Sequence, residues 1–292
     1  MVAFFRNTLY GAIIGLTFIV PGMSGSTMAV MLGIYDEIIE SISSMLKNWR
    51  SLLFLAPLGI GALLGVYSFA GVVKWALSDY VLAANFLFVG LMVGSIPLIY
   101  AYATRGAEHI GDKGAREKTS ITSIVVCVVA FLIMMAMLLI SPDETGQASE
   151  IALTTSFIIK LFLVSFIAAG TMVIPGISGA LMFVIFGVYG ALMTAVHNLD
   201  FAVLIPAVVG AFLGLLVGAR IINMLLTRWE RQTYWGILGL VAGSIIGLLV
   251  TNIPFMGLNV HMTIALITLV VGIAIGAVFG YFAMRKADKP ES

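Results

Sequence analysis

The chain has 292 residues, 61% hydrophobic and only 10% charged, with a formal net charge of +1. So few charges over such a length exclude a water-soluble domain, and apolar runs of about 20 residues without period-two alternation exclude an outer-membrane barrel. No basic block with interleaved aromatics is present for nucleic acid, and the single Cys127 supplies neither a disulfide framework nor a metal cluster.

In chain order, two short apolar arms at 8–20 and 26–35 flank the stretch Pro21-Gly22-Met23-Ser24-Gly25-Ser26-Thr27. Each arm is too short to cross a hydrocarbon core about 30 Å thick at about 1.5 Å per residue. Arg6 ahead of an apolar run has the outline of a leader, but the same plan recurs mid-chain, so the N-terminus is read as mature structure. Residues 36–50 turn polar, with Asp36, Glu37 and Glu40 at their start, and read as interfacial. Apolar spans follow at 51–73, 82–102 and 121–140, and a polar link over 141–150 closes the first half. The second half repeats the order: arms at 158–174 and 180–190 around Pro175-Gly176-Ile177-Ser178-Gly179-Ala180-Leu181, then spans at 202–222, 234–251 and 262–284.

The two Pro-Gly stretches lie at a constant offset of 154 residues, which also aligns Thr17 with Thr171 and Gly33-Ile34-Tyr35 with Gly187-Val188-Tyr189. Proline removes a backbone donor and the glycines loosen the chain, so a helix stops at each stretch. In hydrocarbon a stopped helix costs several kcal/mol per exposed backbone group unless protein or water receives it. A break kept in both halves therefore marks a site. The chain reads as one membrane domain built from two repeats, 1–140 and 151–292.

Charge selects between two topologies. If each broken segment dips in and returns, a half makes three crossings and the second repeat is inverted; if it crosses fully, a half makes four and the repeats are parallel. The inverted arrangement gathers all Lys and Arg except Lys74 and Lys160 on one side, whereas the parallel one scatters them. The positive-inside rule favours inversion, with both termini cytoplasmic. The expected fold is an all-α polytopic membrane protein with two inverted repeats, each a re-entrant helical hairpin plus three transmembrane helices. Glycines four apart, such as Gly61/Gly65 and Gly210/Gly214/Gly218, supply the close helix packing this requires.

Paired broken helices in inverted repeats are the plan of alternating-access carriers. Helix starts at Ser24 and Ser178 aim free N–H groups and about half a positive charge each at an anion, and Ser24, Ser26, Thr27 and Ser178 add hydroxyl donors. Ser24 and Ser178 read equally as ordinary N-caps. A phosphomonoester carries about −1.5 to −2, more than two helix ends balance, so a basic partner is expected. Arg6 and Lys160, at equivalent positions, come first and Arg220 third; headgroup snorkelling is the competing reading for each. Asp36, Glu37 and Glu40 are the candidates for coupling to an ion. No cofactor, metal or catalytic residue is expected. Gly-x-Ser-Gly formally matches an intramembrane protease nucleophile, but His109, His197 and His261 all lie outside mid-span positions.

The doubled P-G-x-S-G, the G-[IV]-Y after each copy and the small-residue spans resemble the polyprenyl-phosphate transporter (PopT) family over about residues 5–285. The second copy, ending Gly179-Ala180-Leu181, is the looser match. The resemblance implies a carrier in the bacterial cytoplasmic membrane that moves undecaprenyl phosphate from the outer to the inner leaflet, with possible coupling to an ion gradient. It implies site roles for Pro21, Gly22, Ser24, Gly25, Thr27, Pro175, Gly176, Ser178 and Gly179. The alternatives are an integral-membrane polyprenyl-diphosphate phosphatase and a small-anion transporter.

Overall fold

The computed structural model describes residues 2–19, 24–105, 119–140, 154–177, 179–198, 200–252 and 260–287. Pro21, Gly22, Ser178 and the polar link at 141–150 lie outside them. The described chain is all-helical: α1 (Val2–Ile19), α2 (Gly25–Met31), α3 (Tyr35–Ser44), α4 (Ser51–Asp79), α5 (Val81–Arg105), α6 (Ile121–Ile140), α7 (Thr155–Met172), α8 (Gly179–Ile185), α9 (Tyr189–Asn198), α10 (Phe201–Asn252) and α11 (Val260–Ala287). Six of these are long and apolar enough to cross a membrane, among them α7.

Two boundaries differ from the sequence reading. The first arms are longer than 8–20 and 158–174 suggested. α1 and α7 each hold 18 residues, about 27 Å of helix. Helical hydrogen bonding carries α1 back through the polar Arg6-Asn7-Thr8, and Thr154 caps α7 by accepting from the Phe157 amide at 3.2 Å. The second arms are shorter. α2 and α8 are seven residues each and end at Gly33 and Gly187, whose φ values of 64° and 67° suit glycine best. Ile34 N–H donates to the Ala29 carbonyl at 3.1 Å and Val188 N–H to Phe183 at 2.9 Å, the six-to-one bond of a left-handed helix cap. The repeated G-[IV]-Y is therefore a helix stop, after which α3 and α9 begin.

Spans 202–222 and 234–251 both stand as helices: they are the two arms of α10, which meet at non-helical backbone at Trp229 (φ −141°, ψ 50°). Ile222 and Leu240 line one cavity, although a straight helix would set them about 27 Å apart. The chain therefore doubles back at Trp229, and α10 supplies two arms.

Packing follows the small residues. A Cβ on Gly61 or Gly65 would strike the Thr8 or Ala12 carbonyl of α1, and one on Gly210 or Gly214 would strike Phe162 or Phe166 of α7. Gly90 and Gly94 of α5 likewise abut α11, while Gly239 and Gly243 in the second arm of α10 abut α6. Exchanging the halves converts α1–α4 packing into α7–α10 packing, and α5–α11 packing into that of α10 with α6. Helices meet this closely only where side chains are absent, because lipid supplies no hydrophobic drive between them. The largest core cluster joins α2, α3, α5 and the second arm of α10 through Met31, Ile39, Met92, Leu98, Tyr234 and Val241. The short helix after the first Pro-Gly stretch thus lies buried at the middle of the protein.

Candidate functional site at the meeting of the two motifs

Ser24 takes the N-cap position of α2, with extended backbone (φ −106°, ψ 133°), but its hydroxyl makes no capping bond. It pairs instead with Ser26 Oγ at 2.5 Å. Ser26 Oγ donates to the Met172 carbonyl at 3.0 Å, which leaves Ser24 as donor to Ser26. Next to it, Thr27 Oγ1 accepts the Gly176 N–H at 2.9 Å. The start of α2 is therefore bonded directly to the second Pro-Gly stretch, with Ser24 and Thr27 both buried. The sequence offered only a shared pattern for these segments; the fold brings them into contact.

The segment 172–177 is held from three sides. Tyr35 OH donates to the Val173 carbonyl at 3.1 Å, and Ser244 Oγ donates to the Gly176 carbonyl at 2.7 Å. Gly176 has φ 92°, and a Cβ there would press on Leu240 at 3.0–3.1 Å, so both conformation and space require glycine. Ile174 and Ile177 N–H groups bond to Thr171 and Ile174, and Pro175 has none. The amides of this segment are thus taken. Donors without an intrahelical acceptor stand instead in the first turns of α2 and α8, beginning at Gly25 and Gly179.

Beside this junction lies an acidic cluster that the sequence only half disclosed. Asp36 opens α3 and is partly buried, whereas Glu37 and Glu40 are exposed on the same helix. Tyr234 OH reaches Asp36 from the second arm of α10, at 2.7 and 2.9 Å from the two carboxylate oxygens. The Tyr234 ring stacks on Tyr102 of α5 with centroids 4.7 Å apart. Burial pushes the Asp36 carboxyl up to about 6; the Tyr234 hydrogen bond opposes this and the nearby Glu230 adds to it. Tyr35 was legible as part of G-[IV]-Y, but its counterpart Tyr189 is 38% exposed where Tyr35 is 2%. Tyr102 and Tyr234 carried no periodic signal; a tyrosine inside an apolar span, needing a hydroxyl partner when buried, was the available clue.

The basic candidates lie elsewhere. Arg6 is exposed in the early turns of α1, its Nε donating to Asn7 Oδ1 at 3.4 Å. Lys160 is exposed in the early turns of α7. Each sits at the end of its helix remote from the motif, on the order of 20 Å along the axis. Arg220 is exposed on α10 and its Nε donates to the Ser43 carbonyl at the end of α3, at 3.4 Å.

Comparison with known proteins matches residues 14–253 to the model of an undecaprenyl phosphate translocase-like family. A polyprenyl-phosphate transporter of Staphylococcus aureus is 32% identical over 287 residues, covering 94% of this chain and 95% of that protein. A polyprenyl-phosphate transporter of Vibrio cholerae is 26% identical over 252 residues, covering 81% of this chain and 75% of that protein. These names point to a transporter rather than an enzyme. No solved structure matches the chain.

Proposed function

Because this chain belongs to the undecaprenyl phosphate translocase-like family, we propose that it carries undecaprenyl phosphate across the bacterial cytoplasmic membrane, from outer to inner leaflet. The observation that carries this reading is the bonding of the first Pro-Gly stretch to the second and to the helix end just ahead of it, Gly176 to Thr27 and Ser26 to Met172. It sets the start of α2 against the segment that leads into α8. In this reading the phosphate binds between the two stretches, held by Ser24, Ser26, Thr27 and Ser178 and by the amides that follow Gly25 and Gly179. Pro21, Gly22, Pro175 and Gly176 shape the breaks. Most of the isoprenoid chain stays in lipid.

The two halves are inverted repeats whose broken segments re-enter the membrane, and their rocking exposes the site to each face in turn. Both termini are cytoplasmic, which the bias of Lys and Arg supports. Arg6 and Lys160, at the outer ends of α1 and α7, receive the headgroup on opposite faces, and Arg220 takes part from α10, beside the end of α3. Asp36 serves as the coupling carboxyl, with a proton as the coupling ion; Glu37 and Glu40 are exposed on the same helix.

The test is flux of fluorescent or isotopically labelled undecaprenyl phosphate between leaflets of liposomes holding the purified chain. Ser24→Ala combined with Ser178→Ala should slow it severalfold at equal protein, and Arg6→Ala should slow it from one face. Parent-like flux in these variants would remove the site assignment; absence of flux in the parent would remove the carrier reading.

A further inference from the structure

A cavity of about 540 Å³ lies between the first turns of α6, the two arms of α10 and the second Pro-Gly stretch. Its lining is mostly apolar, with Leu225 before the Trp229 bend and Gly236 and Leu240 after it, Val126 across on α6, and Pro175 and Tyr35 on the motif side, while Thr122, Gln232 and Thr233 add polar groups. The volume is that of a site for a drug-sized ligand.

Three features say what such a space takes. It borders the motif segment itself, since Pro175 lines it and the backbone of that segment bonds to Thr27. A molecule with its phosphate at the motifs therefore lies next to this cavity. Most of the lining is aliphatic or aromatic, and burying apolar surface contributes roughly 25 cal/mol per Å². Finally, Gly236 lines the cavity without crowding it: a Cβ there would make ordinary contact with Val126 Cγ1, at 3.4 Å. Unlike Gly239 and Gly243, which abut α6, Gly236 is not needed for helix contact.

We propose that this cavity binds the isoprene units next to the phosphate of a polyprenyl phosphate, so that the protein grips the start of the chain as well as the headgroup. The proposal rests on the placement of the phosphate given above. It makes the substrate's first few isoprene units a recognised element, separate from the remainder of the chain in the bilayer.

The probe is farnesyl phosphate carrying a diazirine on its first isoprene unit, photolysed with the full chain in nanodiscs and mapped by mass spectrometry. Labelling is expected at Val126, Leu225 and Leu240, to be competed by unlabelled undecaprenyl phosphate, and to fall about tenfold in Gly236→Phe, the loss expected when a ligand forfeits about 1.4 kcal/mol. Val126→Phe should act alike, and Gly59→Ala, with open space at its Cβ, should leave labelling unchanged. Labelling of the parent confined to other helices would overturn the proposal, even if a variant fails to fold. So would equal labelling of the cavity by a diazirine-bearing phosphatidylglycerol, the mark of bulk lipid. Leaflet flux measured on the same preparations separates the two readings. Flux without cavity labelling sinks the cavity and leaves the carrier; competed labelling without flux leaves the cavity and sinks the carrier.

Discussion

Replacing Tyr234 with Phe removes one hydroxyl and leaves a ring to stack on Tyr102. That hydroxyl donates to both Asp36 oxygens, at 2.7 and 2.9 Å, and favours the charged carboxylate, which burial and Glu230 disfavour. A hydrogen bond to a charged group contributes about 1.5–3 kcal/mol, and one pKa unit is about 1.4 kcal/mol. Tyr234→Phe should therefore raise the Asp36 carboxyl by about one to two units from its value of about 6. The carboxyl is raised above its ordinary 3.8, so the fold favours the neutral form. The stability this contributes is complete below the ordinary value and is lost as pH rises through about 6 in the parent. In the variant the loss extends about one to two units further. Parent and variant should thus melt within a degree or two of each other near pH 5. Near pH 8 the variant should melt lower, by a few to about ten degrees at about 2–4 °C per kcal/mol. Thermal unfolding in detergent across that range is the assay, with the infrared carboxyl band reporting Asp36 directly. A melting gap that does not change with pH would refute the reasoning.

Other outcomes follow from the same geometry. Asp36→Asn, fixed in the neutral form, should abolish any change in lipid flux between about pH 5 and 8, measured in liposomes with imposed pH. Ser26→Ala and Thr27→Val should each destabilise the chain by about 1 kcal/mol, read by chemical unfolding, because each removes one bond to the second Pro-Gly stretch. Gly61→Leu should cost about 3 kcal/mol or more and sharply reduce folded protein, because its Cβ meets the Thr8 carbonyl, while Gly59→Leu should leave yield unchanged. Cysteines at positions 47 and 200 should label from opposite faces of the membrane; labelling from one face would remove the inverted topology.

The helical class and the long apolar spans could be read from hydropathy alone, since bilayer thickness sets a length that few soluble helices reach. The breaks were also legible, because Pro21 and Pro175 punctuate otherwise uniform runs. What failed was extent. Arg6 and Asn7 looked like the edge of a span, but an N-terminal helix turn tolerates polar residues as long as its hydrogen bonds form. The turn near Trp229 was legible, because the polar run Thr227 to Thr233 separates two apolar spans. In the site, Ser26 and Thr27 could be nominated from chemistry, but their acceptors are backbone atoms of Met172 and Gly176, and backbone partners leave no trace in residue identity. Tyr234 was invisible for a related reason. Its role depends on Asp36, 198 positions away, and no local period connects them.

Three side chains from the first half, Ser26, Tyr35 and Thr27, bond to the backbone of Met172, Val173 and Gly176 respectively. At about 1 kcal/mol each they amount to a latch of about 3 kcal/mol, which biases a two-state equilibrium by roughly a hundredfold. One of its three catches, the Ser26 hydroxyl, donates to the Met172 carbonyl and has to let go before it can donate to an incoming anion, whereas Thr27 accepts from Gly176 and keeps its own proton. A headgroup that claims Ser26 therefore loosens the hold between the halves, so occupancy and release of this catch are one event. Cargo itself would then be the key, and an empty carrier would stay shut.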